Sequence, residues 1–128
     1  MKKINYTNPD GSTVEIYIGA RARIGAGASI GEWASIGARA RIGEQASITN
    51  QYSYCIVNDI GSRRAPCVVH IHKTIGVVVS TGCQTNILPK DFYKKVIATH
   101  GDSQHGKRYL SRVKFAVKEV SEWLKENK

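Results

Sequence analysis

The chain has 128 residues, a length typical of one domain, and its 19 lysines and arginines exceed its 10 acidic residues to give a formal net charge of +9. This charge excludes an acidic mimic of nucleic acid and favours anionic partners. No apolar run approaches the length of a membrane span, and the polar start MKKINYTNPDG is unlike a signal peptide. The three cysteines lack CxxC spacing and cannot all pair within one chain, so we expect a reducing, cytoplasmic location.

The first 18 residues predict a β-hairpin. Residues 2–7 and 12–18 alternate between apolar and polar side chains, as strands do. Between them, Asn8-Pro9-Asp10-Gly11 has the composition of a type I turn. The second strand leads directly into the next segment, so we expect this hairpin to close one end of whatever that segment forms.

That next segment repeats with a period of six residues. Glycine follows the first five isoleucines of the repeat, and alanine occupies the fifth position of each of those hexads. Such a period fits neither a helix nor an isolated strand, and it is typical of a parallel β-helix with one short strand and one corner per hexad. The isoleucines are Ile18, Ile24, Ile30, Ile36, Ile42 and Ile48.

The hexads IGARAR, IGAGAS, IGEWAS, IGARAR and IGEQAS resemble those of the hexapeptide-repeat proteins, which form left-handed β-helices. The motif is an aliphatic residue, glycine, two variable residues, a small residue and a variable residue. The resemblance covers roughly a quarter of the chain and implies a short prism of about two coils. It also implies a homotrimer, while the family includes both enzymes and non-enzymes.

In this fold three hexads make one coil, so residues eighteen apart stack on one face. Arg21 then lies over Arg39, and Arg23 over Arg41. Two interpretations are open. The four side chains either point separately into solvent or form a surface that binds phosphate or carboxylate.

Two aromatic residues are candidates for an oligomer interface. Trp33 occupies an outward position of its hexad, and Tyr52 follows the last hexad at the end of the prism. An outward tryptophan is more often an interface anchor than a solvated residue, which agrees with a trimer.

The segment after the repeat predicts a second hairpin. CVVHIHKTIGVVVSTG contains two β-branched runs joined near residues 73–76. His70 and His72 share one strand face. A metal site there is the less favoured interpretation, because no further ligand spacing supports it, and we expect two histidines on a half-exposed face.

Two helices are predicted at the C-terminus. Pro89 suits the first turn of a helix over about 89–99, and Gly101 is well placed to end it. A longer helix starts at about 104–107 and extends to 126, with apolar residues at helical spacing. The fold class is therefore mainly β with C-terminal helices. A hairpin and short left-handed β-helix span 1–60, and a small α+β appendage of a hairpin and two helices spans 61–128.

The loop between the helices is a further candidate anion site. Two glycines and a helix start direct backbone N–H groups toward one point, and Lys107 and Arg108 follow. His100 and His105 offer additional donors. The alternative is a helix–helix turn that needs glycine for backbone reasons. The second, weaker candidate of this kind is Gly61-Ser62-Arg63-Arg64.

These features favour a non-enzymatic homotrimer that binds a small anionic, nucleotide-like ligand between subunits, with no catalytic residues, metal or cofactor. The C-terminal segment from GSRR to GKRYL weakly resembles small phage-encoded proteins, which suggests a counter-defence protein that sequesters a nucleotide signal. One alternative is a hexapeptide-type acyltransferase that uses a coenzyme A thioester. The histidine base of those enzymes has no counterpart here, since all four histidines follow the repeat. The other alternative is a basic module that binds a host protein or nucleic acid.

Overall fold

A computed structural model describes residues 1–49, 52–57, 66–81 and 84–127. Within these ranges ten strands precede two helices. The strands are β1 (Lys2–Thr7), β2 (Thr13–Ile18), β3 (Arg23–Ile24), β4 (Ser29–Ile30), β5 (Ser35–Ile36), β6 (Arg41–Ile42), β7 (Ala46–Ile48), β8 (Cys55–Val57), β9 (Cys67–His72) and β10 (Gly76–Ser80). The helices are α1 (Pro89–His100) and α2 (Gln104–Glu126).

The hexads form a three-faced coil. Strand β2 pairs with β5, β3 with β6 and β4 with β7, each in parallel and at an offset of eighteen residues. Ile30, Ile36, Ile42 and Ile48 point inward and are almost fully buried. The six-residue period of isoleucine therefore places one inward-pointing side chain in each hexad, as predicted from the repeat.

The glycines of the repeat allow successive coils to approach closely. A Cβ on Gly25 would lie 2.5 Å from the backbone nitrogen of Glu44 in the next coil, closer than any side chain tolerates. The same clash with the following coil would occur at Gly19 and Gly31. Gly37 differs, because a Cβ there would meet only the side chain of Ile56, at 3.6 Å.

The corners take their left-handed conformation at the fourth hexad position, which the sequence did not indicate. This position holds four different residue types across five hexads, and φ lies between 58° and 74° in all five. A left-handed residue with a Cβ costs about 1–2 kcal/mol, so the packing of the coils must offset this strain. The five residues are Arg21, Gly27, Trp33, Arg39 and Gln45.

The N-terminal hairpin covers the first coil, as expected. Strand β1 pairs antiparallel with β2. The side-chain amide of Asn8 accepts from the Ile30 N–H at 2.7 Å and donates to the Ile30 carbonyl at 3.1 Å. The Tyr6 hydroxyl donates to the Ala28 carbonyl at 2.8 Å. These side chains satisfy strand edges that have no coil beneath them.

The second hairpin continues one face of the repeat. Strands β9 and β10 pair antiparallel around a turn at 73–75, and β9 also pairs antiparallel with β7 and with β8. One face of this hairpin carries Val68, which packs against the repeat core. The other face carries Val69 and Ile71, which pack against the helices. The hairpin therefore lies between the repeat and the helices.

The helices begin and end as predicted. Pro89 lies in the first turn of α1, and Gly101 ends that helix with a φ of 58°. Ser103 caps α2. No helix in the described ranges is long and apolar enough to cross a membrane. The face of α2 that packs against the hairpin and α1 buries Tyr109, Val113, Ala116 and Val120.

Candidate functional site

The arginine stripe consists of Arg21, Arg23, Arg39 and Arg41. Arg23 is the register partner of Arg41 in the parallel pair of β3 and β6, so the predicted stacking is confirmed for these two residues. Arg21 and Arg39 occupy equivalent corners, both with φ at 63°. Neighbouring strands lie about 4.8 Å apart, so the stripe places like charges side by side.

No nearby acid neutralises most of this stripe. Arg21, Arg23 and Arg39 are exposed, and no carboxylate of the described residues lies within ion-pairing distance of their guanidinium groups. At 5 Å in water two such charges repel by about 1 kcal/mol, which opposes folding. Guanidinium groups bind phosphate and carboxylate oxygens through paired N–H donors, and a bound anion would relieve this repulsion.

Trp33, predicted as an interface residue, projects from a strained corner. Its φ is 68°, its side chain is 57% exposed, and its ring lies 6.5 Å from that of Tyr17. A large aromatic side chain gains nothing from exposure to water, so this geometry suits contact with another surface. Tyr52, the second predicted interface residue, is also exposed, and it borders a cavity beside α2.

At the junction of the two helices, close packing against the side chain of His100 explains Gly106, which was expected to belong to an anion site. The Gly106 N–H donates to Ser103 Oγ at 3.1 Å, and the Lys107 N–H donates to the Ser103 carbonyl at 3.0 Å. A Cβ on Gly106 would clash with the side chain of His100. The N–H groups of Gly106 and Lys107 are therefore already bound within the chain, contrary to the expectation that they point at a ligand.

The histidines of this junction form an aromatic cluster. The ring of His100 lies 5.0 Å from that of His105, and His105 stacks on Tyr109 at 6.5 Å. Lys107 and Arg108 are exposed beside it. The cluster and these two cations belong to α1 and α2, whereas the arginine stripe belongs to the repeat. Of the remaining predicted site residues, Arg63 and Arg64 lie outside the described residues.

The expectation of two histidines on a half-exposed strand face is wrong for His70. This side chain is completely buried, because the face of β9 that carries it is covered by the repeat. His72 is half-buried, and its Nδ1 accepts from the backbone N–H groups of Thr74 and Ile75, which fixes the hairpin turn. Among the described residues no three potential ligands of the His, Cys, Asp or Glu type come together at a metal site.

His70 belongs to a buried polar cluster that the sequence did not reveal. Its Nε2 lies 2.7 Å from Ser80 Oγ, and the Gly43 N–H of the repeat points to the same nitrogen at 3.4 Å. Ser80 Oγ also accepts from the Asn86 N–H at 3.1 Å. Burial lowers the pKa of His70 to about 4, so the ring is neutral near pH 7. The cluster links the repeat, the hairpin and the segment that precedes α1.

Comparison with known proteins identifies the repeat. Residues 15–50 match the family described as "Bacterial transferase hexapeptide (six repeats)". No curated protein and no solved structure matches the chain. The match begins within the hairpin's second strand and covers all the hexads whose parallel coil is described above. Residues 15–50 therefore belong to the hexapeptide-repeat family.

Proposed function

We propose that the chain is a non-enzymatic homotrimer that binds a small anionic, nucleotide-like ligand in pockets between its subunits. The observation that carries this proposal is the register of Arg23 against Arg41, with Arg21 and Arg39 at equivalent corners one coil apart. Phosphate groups carry several acceptor oxygens with concentrated negative charge, and they match a row of guanidinium groups better than a single carboxylate does.

A pocket between subunits follows from the shape of the stripe. Arg21 and Arg39 stand at exposed outer corners, so one chain presents the stripe on a convex surface. Small ligands are bound tightly in concave sites that remove most of their surface from water. A second subunit docked beside the stripe would supply the missing wall, and Trp33 offers an anchor for that contact.

The family of the repeat supports two further parts of the proposal. Its members often form trimers, which supports the proposed homotrimer. They also share a left-handed coil, and we infer the same handedness for the coil of this chain. A phage-encoded protein of this type would act in the host cytoplasm, where sequestering a nucleotide signal would counter a defence response.

The direct test is a thermal-shift screen of the full chain against linear and cyclic nucleotides and, in parallel, coenzyme A thioesters. A ligand at a hundred times its dissociation constant stabilises the folded state by about 2.7 kcal/mol, which such a screen detects easily. We expect stabilisation by nucleotides alone. Stabilisation by thioesters alone would contradict the proposal and favour the acyltransferase.

Charge reversal then tests the assigned site. Arg39→Glu is expected to abolish ligand binding and to leave the trimer intact in sedimentation experiments. The matched control is Lys90→Glu, which makes the same charge change at an exposed position on α1. If Arg39→Glu binds as tightly as the control, the stripe is not the site. Binding of oligonucleotides with a steep salt dependence would favour the basic interaction module instead.

A further inference from the structure

A cavity beside the second half of α2 has a chemistry opposite to that of the arginine stripe. It encloses about 410 Å³ between α2 and the segment that leaves the repeat. Three aromatic rings and three carboxylates border it, and we call it the aromatic–acidic pocket. Its defining residues are Tyr52, Tyr54, Trp123, Glu119, Glu122 and Glu126.

Helix geometry brings four of these residues to one side. Glu119, Glu122, Trp123 and Glu126 are spaced at three, four and seven positions, so they share one face of α2. The facing wall is held in place by Tyr54, whose hydroxyl donates to the Ser35 carbonyl at 2.9 Å and accepts from the Ser35 N–H at 3.0 Å. The ring of Tyr54 is thereby fixed against the pocket.

The carboxylates of this pocket are not neutralised within the described chain. None of Glu119, Glu122 and Glu126 lies within ion-pairing distance of a lysine, arginine or histidine of the described residues. Burial, and next the charge of Glu119, raise the pKa of the Cys55 thiol, which also borders the cavity. The negative charge of Glu119 therefore reaches a group that lines the pocket. The pocket is acidic although the formal net charge of the chain is +9.

Aromatic rings and carboxylates together suit one class of ligand. The face of an aromatic ring attracts a cation that lies within about 6 Å of its centroid, and carboxylates accept charge-assisted hydrogen bonds. An anion would be repelled by the three glutamates, and a neutral apolar ligand would make no charge-assisted contact with them. We propose that the aromatic–acidic pocket binds an organic cation, a guanidinium or alkylammonium group. This site is independent of the proposed anion site.

The test follows the two tryptophan indole N–H signals in NMR spectra of the ¹⁵N-labelled full-length chain. The chain has two tryptophans, so Trp33, on the repeat, serves as an internal control, and Trp33→Phe assigns the signals. The probes are acetyl-arginine amide, its neutral isostere acetyl-citrulline amide, and tetramethylammonium. We expect saturable movement of the Trp123 signal with at least one cation, and none with the citrulline probe. A stronger response to the arginine probe would indicate a protein side chain as the natural ligand, and a stronger response to tetramethylammonium a free quaternary amine.

Charge removal in the pocket checks the assignment. Glu122→Gln is expected to weaken binding of the preferred cation about tenfold, as for the loss of one charge-assisted contact. The control Glu32→Gln removes a carboxylate that is also exposed but lies on the repeat, and it should leave binding unchanged. The proposal is overturned if neither cation moves the Trp123 signal, if the citrulline probe moves it equally, or if both glutamine variants bind alike.

Discussion

The side-chain amide of Asn8 binds the backbone N–H and carbonyl of Ile30. These are the groups that would pair with a strand if another coil preceded the first one. The first coil of any β-helix has exposed strand edges, which invite pairing with other chains. Here Asn8, next to the turn of the hairpin, binds both backbone groups of Ile30 on one of these edges, and Tyr6 of the same hairpin binds the nearby Ala28 carbonyl. Hydrogen bonds from the hairpin, and not a further coil, thus close this end of the repeat.

Asn8→Ala should lower the free energy of unfolding by about 1–3 kcal/mol, because it leaves the Ile30 N–H and carbonyl without their partner. Asn8→Asp keeps the acceptor for the Ile30 N–H and should recover part of this loss. Urea unfolding of the three proteins measures both effects. Equal stability of Asn8→Ala and the parent chain would show that water replaces the amide at no cost.

Because the coils approach closely at some hexads and not at others, the same substitution should have different effects on stability at two glycines that share a hexad position. Gly25→Ala forces a Cβ against the backbone of Glu44 and should destabilise the chain by about 3 kcal/mol or more, since backbone cannot move aside as a flexible side chain can. Gly37→Ala places its Cβ in ordinary contact with Ile56 and should change stability by less than about 1 kcal/mol. Thermal unfolding of both variants provides the comparison, and equal losses would mean that the motif needs glycine for another reason.

The repeat was predictable because its information is local and periodic. Isoleucine at every sixth position leaves one arrangement that turns all six side chains toward a common core, and from it the stacking of Arg23 on Arg41 follows without knowledge of any other segment. The two helices were predictable for a similar reason, since Pro89, Gly101 and the spacing of apolar residues act within a few residues of their own positions.

Other features depend on contacts between distant segments. The alternation of β9 shows that His70 and Val68 share a face, but not that the repeat covers it, because that depends on the pairing of β9 with β7. The left-handed corners could not be predicted from the sequence for the same reason. Arg39 and Trp33 have no intrinsic preference for positive φ, and the coil imposes that conformation on whichever residue occupies the fourth position.

Trp33→Asn tests whether this strained tryptophan serves an interface. Asparagine tolerates a left-handed φ better than tryptophan does, so the folded monomer should lose no more than about 1 kcal/mol of stability. If Trp33 anchors the proposed trimer, its loss should weaken association at least about 30-fold, the equivalent of 2 kcal/mol for an interface hot spot. Sedimentation equilibrium measures the association.

The control for this variant is Phe115→Ser, which removes an aromatic side chain of similar exposure on α2. It should leave the trimer intact. Loss of association in Phe115→Ser but not in Trp33→Asn would move the interface from the repeat to the helices.

The burial of His70 beside Ser80 predicts the direction in which the free energy of unfolding changes with pH. The pKa of His70 is about 4 in the folded chain and about 6.5 when unfolded, so between these values the unfolded state binds a proton that the folded state does not. The free energy of unfolding should therefore fall as the pH decreases below 6.5, by about 3 kcal/mol between pH 7 and pH 4. Urea unfolding across this range should show the decline in the parent chain and a shallower one in His70→Gln, whose amide does not titrate. An equal decline in both proteins would assign the pH dependence to other groups.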